Sequence, residues 1–553
     1  MHTKRPWTKN YPDFVPPSAE VGKYENLVHL IDENTKKYHN DPSFYCFDKS
    51  LTYGEIGAYS DAFASYLQNQ TDLKKGDRIA IQLPNILQFP IALFGAIKAG
   101  LIVVNTNPLY TPHEMEHQFK DSGAKAIVIL ENFCKNLESI IENTNIQTVV
   151  TTKIGDQVGG LKGAVINTVV KHIKKMVPPF SLPNAITFKS ILEDNKGKKP
   201  NKFDIDRNDI AFLQYTGGTT GLSKGAQLSH HNIVSNIMQC HSWIGNLFDQ
   251  KGEIVITALP LYHIFALTIN CMLFYTTGAK NILVTNPRDM NGFMKILKKY
   301  PMNYITGVNT LFNGMMNHPA FSSLNFDQLK LSVGGGMAIQ KVVADRWKKI
   351  TGVDLLEGYG LSETSPVASF APLGGNHKIG YIGTPVPDTD MAIFDDQQNI
   401  LPQGEHGEIG VKGPQVHKGY WNKGEENSQY FTKDGYFLTG DIGFMDEDFF
   451  FKIIDRKKEM IIVSGFNVYP NEVEKVISEH PKVLEVGVTG VEDTKSTESV
   501  AAFIVKRDAS LTQEEIKALC KEKLTNYKVP KHIHFRESLP KSNVGKILRR
   551  KLK

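Results

Sequence analysis

The sequence predicts an α/β protein in two parts, a large N-terminal body of α/β sheets and a small, mobile C-terminal α/β cap. Three observations predict it. The chain has 553 residues, too many for one ordinary core, so two or more domains are expected. Short apolar runs alternate with segments of helical periodicity, the pattern of a largely parallel sheet covered by helices. A dense charge run, Asp455-Arg456-Lys457-Lys458-Glu459, stands between apolar strands, and the residues after it suffice for one small domain. The expected division is a body over 1–454, a linker over 455–460 and a cap over 461–553.

Along the chain, Leu27 to Tyr38 reads as an amphipathic helix, because Leu27, Leu30 and Ile31 recur on one face. The turn at Gly76-Asp77 feeds a short strand through Ile79, Ile81 and Leu83. The most apolar stretch, Phe89 to Val104, is interrupted by Lys98 and two glycines and falls short of a membrane span. It reads instead as a buried helix running into a strand over Leu101 to Val104. Ala124 to Leu130 is a further buried strand. Gly155 to Lys199 is rich in Gly, Pro and Lys, has weak core periodicity and reads as a second boundary. Within it a helix over Lys162 to Val177 would place Ile166, Val169, Val170, Ile173 and Val177 on one face, Lys171 and Lys175 opposite, and Lys174 on the flank. That pattern fits an interfacial basic helix, and equally a surface helix packed on the body. Beyond the linker, strands over Val483 to Val488 and Val500 to Val505 precede a helix through Glu514 to Leu524.

Composition narrows the function classes. Hydrophobic residues at 41% and charged residues at 22% are an ordinary globular mixture, which excludes a disordered or collagen-like chain. A net charge of +5 is too small for a duplex-binding protein, so no nucleic-acid partner is expected. The five cysteines are scattered without a CxxC pair, which gives neither a disulfide framework nor a zinc site. Met1 to Tyr11 is polar and shows no secretory signal. A cytoplasmic protein is expected, with peripheral contact at the inner membrane face if the basic helix binds lipid.

The most informative stretch runs Tyr215-Thr216-Gly217-Gly218-Thr219-Thr220-Gly221-Leu222-Ser223-Lys224-Gly225, after an apolar strand over Ile210 to Leu213. Glycines let the backbone turn and bring N–H groups to an anion, the threonines add hydroxyl donors, and Lys224 adds charge. This suits a polyphosphate, although a flexible surface loop has the same composition. It is not a Walker A loop, because Ser223 precedes Lys224. The second anchor is Glu357-Gly358-Tyr359-Gly360-Leu361-Ser362-Glu363-Thr364. Between glycines the Tyr359 ring can lie against a purine, and Glu363 offers a hard oxygen for Mg²⁺. Alone, the segment could also be a turn with a packed tyrosine.

These two stretches resemble the signature motifs of the adenylate-forming superfamily, which includes acyl- and aryl-CoA synthetases, firefly-type luciferases and peptide-synthetase adenylation domains. Similar segments occur in the family's order over nearly the whole chain, among them Lys75-Gly76-Asp77-Arg78 and Asn107-Pro108-Leu109-Tyr110-Thr111-Pro112. The likeness is strongest to bacterial long-chain fatty acid–CoA ligases. The resemblance implies a fatty acid, ATP and CoA as substrates, with Mg²⁺ at Thr216 and Glu363. It implies ATP or AMP contacts from Thr216, Gly217, Gly218, Thr219, Thr220, Gly221, Lys224, Gly336, Glu357, Gly358, Tyr359, Ser362, Asp441, Arg456 and Lys458. Ser362 stands where the family usually has threonine, and the hydroxyl is retained. Asp441, in Thr439-Gly440-Asp441, would accept from the ribose hydroxyls; otherwise it is a turn residue.

Leu259-Pro260-Leu261-Tyr262-His263-Ile264-Phe265 matches the motif lining the carboxylate pocket, where His263 would orient the substrate, or would be an ordinary core histidine. Amino-acid-activating relatives place an aspartate near here, and Ile264 and Phe265 offer none, which argues for an apolar acyl substrate. Lys546, in Gly545-Lys546-Ile547, matches the catalytic lysine, while Arg549, Arg550, Lys551 and Lys553 read as a solvated tail. The cap would rotate about Asp455 and Lys458, Lys546 would leave, and Ser464, Gly465, Phe466 and Asn467 would arrive to line a pantetheine tunnel. Arg456 would contact ribose or phosphate. The resemblance also admits a homodimer. Rival expectations are an acyl-AMP ligase, a medium-chain or aryl-CoA ligase, a luciferase-like oxygenase and a non-catalytic nucleotide or acyl-CoA sensor.

Overall fold

The computed structural model of the chain describes residues 5–216, 223–247, 251–464, 466–493, 496–542 and 545–553. The first helix spans Leu27–Lys37; the Asn26 side chain caps it by accepting from the His29 N–H, and Leu27, Leu30 and Ile31 face inward. The apolar stretch forms the helix Gln88–Lys98, buried on every side, then the strand Ile102–Asn105. Lys98 is tolerated there because its ammonium pairs with Asp32 at 2.8 Å and Asp61 at 2.7 Å. No helix among the described residues is long and apolar enough to cross a membrane.

Four sheets order the described residues. A seven-stranded sheet runs Ile186–Thr187, Thr148–Thr152, Ala126–Leu130, Arg78–Gln82, Ile102–Asn105, Ile210–Thr216, Lys224–Ser229, parallel until its last antiparallel pair. A nine-stranded sheet carries the parallel neighbours Ile254–Thr257, Tyr304–Gly307, Leu331–Gly335 and Leu355–Gly360 at its centre. One continuous apolar core joins both sheets to the helices between them, including Tyr53–Asn69, Gln88–Lys98 and His230–Ile244. A four-stranded antiparallel sheet, ending in Phe437–Met445 and Phe451–Arg456, leads to the last sheet. There Val483–Asp493 and Thr497–Lys506 form a long hairpin. The helices Pro470–Ser478 and Gln513–Lys523 pack on it around a core of their own, with Val473, Ile477, Ile516 and Cys520 inside.

Two sequence expectations need correction. The segment 155–199 is not a seam between cores. Its Ile186–Thr187 pairs with Thr148–Thr152 in the seven-stranded sheet, and the helix Phe188–Asp194 buries Phe188, Ile191 and Leu192 in the body. Few apolar residues suffice in Phe188–Asp194 because Phe188, Ile191 and Leu192 all lie on its inward face. The helix expected over 162–177 divides into an α segment, Gly160–Thr168, and a π-helical turn, Val169–Ile173. The wider turn shifts the register. Ile166, Val169, Val170 and Val177 lie half-buried on the body, whereas Ile173 is 71% exposed and a different apolar set, Leu161 (83% exposed), Val165 and Met176, faces outward.

Candidate active site

A cavity of about 1600 Å³ opens where the carboxyl ends of the nine-stranded sheet's central strands meet the charged linker and the last residues of the chain. Ligands of open α/β sheets commonly bind at such strand ends. On one side, Thr216 and Lys224 end and begin an antiparallel pair and stand directly opposite each other, so both side chains emerge on one face. Both line the cavity. Lys224 donates to the Tyr430 hydroxyl, and its ammonium lies 4.8 Å from the Tyr430 ring centroid and 5.5 Å from that of Tyr420. Gly217, Gly218, Thr219, Thr220 and Gly221 lie outside the described residues.

Across the cavity, Leu331–Gly335 and Leu355–Gly360 run parallel with Gly335 opposite Gly358. The chain turns away at Gly336, whose φ of +75° favours glycine. At Gly360 a Cβ would stand 1.9 Å from the Pro366 carbonyl oxygen, so that glycine lets the Ser362–Thr364 turn fold back on the strand. Glu363 lines the cavity and its Oε1 accepts from the Tyr420 hydroxyl at 2.6 Å. Ser362, Gly358, Tyr359 and Lys458 also line it; Glu357 does not. The Glu357 carboxyl accepts from the Ile339 backbone, and burial pushes its pKa up to about 8, so it is largely neutral at pH 7.

The Tyr359 hydroxyl donates to Asp441 Oδ2 at 2.7 Å, while Arg456 Nε meets Asp441 Oδ1 at 2.6 Å. Asp441 and Arg456 are cross-strand partners on Phe437–Met445 and Phe451–Arg456, which explains the pairing. Burial raises the Asp441 pKa, and Arg456 opposes the rise. Both carboxylate oxygens are thus engaged, and a ribose hydroxyl would have to displace or share one of these contacts.

Lys546 enters the cavity beside Arg456 and Glu459; Asp441, buried behind the lining, acts on its ammonium by charge. Burial, then repulsion from Arg456, lowers its pKa below the ordinary 10.5. Two hydrogen bonds aim it: Ser542 Oγ accepts from the Lys546 N–H at 3.0 Å, and the Thr310 hydroxyl donates to the Gly545 carbonyl at 3.2 Å.

Three residues on, Arg549 is not a solvated tail residue. Its guanidinium is 12% exposed, donates to Asp455 at 3.0 Å and Glu474 at 2.7 Å, and also meets Glu459 and Asn471. Asp455 is fully buried and also accepts from the N–H groups of Arg456 and Asn471. This anchor ties the end of the chain to the linker. Sequence reading missed it because its members are dispersed between positions 455 and 549 and no motif marks them.

Beyond Gly335 the cavity becomes apolar. His263 lines it, and burial lowers the imidazole pKa to about 4, so the ring is neutral at physiological pH. Cys240, Trp243 and Ile244 face it from one side of their helix, and Val333 and Leu331 from the sheet. Ser464, Phe466 and Asn467 do not line the cavity. The exposed Phe466 ring instead stacks on Tyr527, with centroids 4.8 Å apart, and Gly465 lies outside the described residues. Among the described residues no group of three or more His, Cys, Asp or Glu could hold a metal alone. Mg²⁺ does not require one, since it keeps several waters and shares substrate phosphates; Glu363 with the Thr216 hydroxyl is a donor set that fits it.

Comparison with known proteins places the chain in a family. A family model described as AMP-binding enzyme matches residues 31–421, and one described as AMP-binding enzyme C-terminal domain matches 472–546. The long-chain-fatty-acid–CoA ligase of Escherichia coli O6:H1 is 50% identical over 550 residues, covering 100% of this chain and 98% of that protein. The protein of the same name from Bacillus subtilis is 37% identical over 558 residues, covering 100% and 98%. Among solved structures, ATP-bound MatB from Rhodopseudomonas palustris superposes with a TM-score of 0.78 at 26% identity, covering 95% of this chain and 98% of that one. The anthranilate CoA ligase AuaEII, at 23% identity, shares the fold with a TM-score of 0.83 over 96% of both chains. With matches running through both the body and the C-terminal segment, the chain belongs to the AMP-binding enzyme family.

Proposed function

We propose that this protein is a long-chain fatty acid–CoA ligase, which converts ATP, a fatty acid and CoA to acyl-CoA, AMP and diphosphate through an acyl-adenylate. One observation carries the reading: a single cavity joins a cationic end, with Lys224, Arg456 and Lys546, to an apolar channel past His263. The full-length likeness to ligases of that name supports it.

The chemistry meets an obstacle of charge, because an anionic carboxylate must approach polyanionic ATP. Cations and N–H dipoles where negative charge accumulates lower that barrier. Lys224 and the loop amides would hold phosphate, Lys546 would meet the oxygens that gain charge, and neutral His263 would donate a hydrogen bond to the substrate carboxylate without adding a charge of its own. Asp441, Tyr359, Ser362 and the backbone at Gly336 and Gly358 would seat the nucleoside, with Arg456 and Lys458 at its ribose or phosphate. Mg²⁺ held by Thr216 and Glu363 would supply charge neutralisation at the phosphates. In the second step the CoA sulfur bonds to the acyl carbon and AMP leaves with the electron pair of the broken C–O bond.

We assign that step to a rotation of 461–553 about Asp455 and Lys458 that withdraws Lys546 and brings in Ser464, Gly465, Phe466 and Asn467. Two facts support it: Ser464, Phe466 and Asn467 stand outside the cavity while Lys546 stands in it, and Phe466 is exposed. Acid-dependent diphosphate–ATP exchange over a panel of oleate, a medium-chain acid and benzoate tests the substrate class. Exchange with oleate above the others is expected; exchange with benzoate alone would replace the substrate assignment with an aryl acid.

We also propose peripheral contact with an anionic membrane through 160–176. The exposed Leu161, Val165, Ile173 and Met176 stand beside exposed Lys162, Lys171, Lys174 and Lys175. Co-sedimentation with phosphatidylglycerol vesicles, reduced in a Leu161→Asp/Ile173→Asp variant, is the expected result. Failure of the wild type to co-sediment removes the proposal.

A further inference from the structure

The apolar arm of the cavity has a built end. Leu331, Val333 and Gly335 alternate along one strand and all face the cavity, as do Tyr304, Thr306 and Val308 along its neighbour. The cavity therefore runs down the face of the sheet, from the nucleotide end at Gly335 to Leu331 and its directly paired neighbour Tyr304. Four residues of strand make that distance about 13 Å. The helix residues Cys240, Trp243 and Ile244 roof it, together with Leu273 and Phe274.

At the far end the Tyr304 ring packs on Phe274, with centroids 5.0 Å apart. The ring is held there by a polar cluster. The Tyr304 hydroxyl donates to the Leu247 carbonyl at 2.6 Å and to the Glu253 carboxylate. Lys330 pairs with the same Glu253 and donates to the same Leu247 carbonyl at 3.1 Å. Glu253 and Tyr304 are buried, and Lys330 is partly exposed. Two donors and two acceptors satisfy one another, and an alkyl chain pushed past the ring would strip hydrogen bonds from a buried carboxylate. That displacement is costly, since a buried charge deprived of its partners is strongly unfavourable. Apart from Thr306, the residues between ring and nucleotide end are apolar, whereas this end is anchored by a buried carboxylate.

We propose that Tyr304, fixed from behind by Glu253 and Lys330, is the floor of the acyl channel and sets the longest acyl chain that lies extended in it. This rests on the reading of the apolar arm as an acyl channel. Chains that reach the ring without displacing it bind with their full apolar surface buried. Longer ones must bend within the channel or break the cluster.

The test is kcat/KM for saturated fatty acids of increasing length in the full chain with Mg-ATP and CoA. Tyr304→Ala removes the ring and is expected to raise the relative kcat/KM of chains just beyond the wild-type cut-off by roughly tenfold or more, the scale of one or two methylenes in an apolar pocket. Leu331→Phe, which adds bulk beside the ring, is expected to move the cut-off to shorter chains. This second variant keeps the proposal testable if Tyr304→Ala does not fold. An unchanged cut-off in folded Leu331→Phe, or a shift of both variants in the same direction, overturns the floor and leaves the proposed function standing. Absence of turnover of every fatty acid by the wild type overturns both.

Discussion

At the scale of the residue, Lys546 carries the sharpest expectations. Its ammonium shares the cavity with Arg456, and burial and that neighbour lower its pKa below 10.5. A group needed as a cation fails as pH rises through its pKa. The alkaline limb of kcat/KM for ATP, which reports the free enzyme, is therefore expected below the pH at which a solvated lysine titrates. Bound ATP is a polyanion and raises the pKa again, so the limb of kcat is expected at higher pH. Rates of diphosphate release across pH check this, and coincident limbs at the pH of a free lysine would contradict it. His263, held neutral with a pKa of about 4, is expected to add no inflection near physiological pH. Removing the charge altogether, in Lys546→Ala, is expected to slow adenylation on the order of a hundredfold or more, the cost of losing one preorganised donor.

At the scale of the element, two devices hold the site in shape. Gly360 admits the Pro366 carbonyl where a Cβ would lie 1.9 Å away. Gly360→Ala must therefore shift the Ser362–Thr364 turn and Glu363 with it, at about 1–3 kcal/mol of overpacking strain. A lower Tm with a raised KM for ATP is expected, and an unchanged KM would show that the turn does not seat the nucleotide. The other device is Arg549, whose bonds to Asp455, Glu459 and Glu474 join the end of the chain to the linker. Arg549→Met leaves buried carboxylates unpaired, a cost of about 3–5 kcal/mol. Hydrogen exchange is expected to quicken in Pro470–Ser478 and in 545–553 while the body keeps its protection.

Much at this scale was legible in the sequence. The helix at Leu27 and the strand after Ile210 announce themselves by contiguous pattern. Arg549 did not, because a buried arginine at the end of a basic run reads like its solvated neighbours until the distant carboxylates are placed. Ile173 departs from the apolar face expected over 162–177 because a π turn breaks the 3.6-residue count on which that face depended.

At the scale of the whole molecule, the two-part α/β layout follows from length, alternation and the charge run, and the motifs around Thr216, Gly336 and Ser362 fall together around one cavity because each sits at a strand end. The depth of the acyl arm was not legible: Leu247, Glu253, Tyr304 and Lys330 come from separate segments, and only the register of the sheet brings them to one edge. The central claim is that one cavity activates a fatty acid and passes it to CoA. It is tested most directly by following AMP and oleoyl-CoA together in one reaction with Mg-ATP, oleate and CoA, for the wild type and for Lys546→Ala. Equal yields of AMP and thioester from the wild type are predicted, with both lost in the variant, which should still form thioester from supplied oleoyl-adenylate. Oleoyl-adenylate accumulating without thioester in the wild type, or undiminished AMP release by the variant, would contradict it.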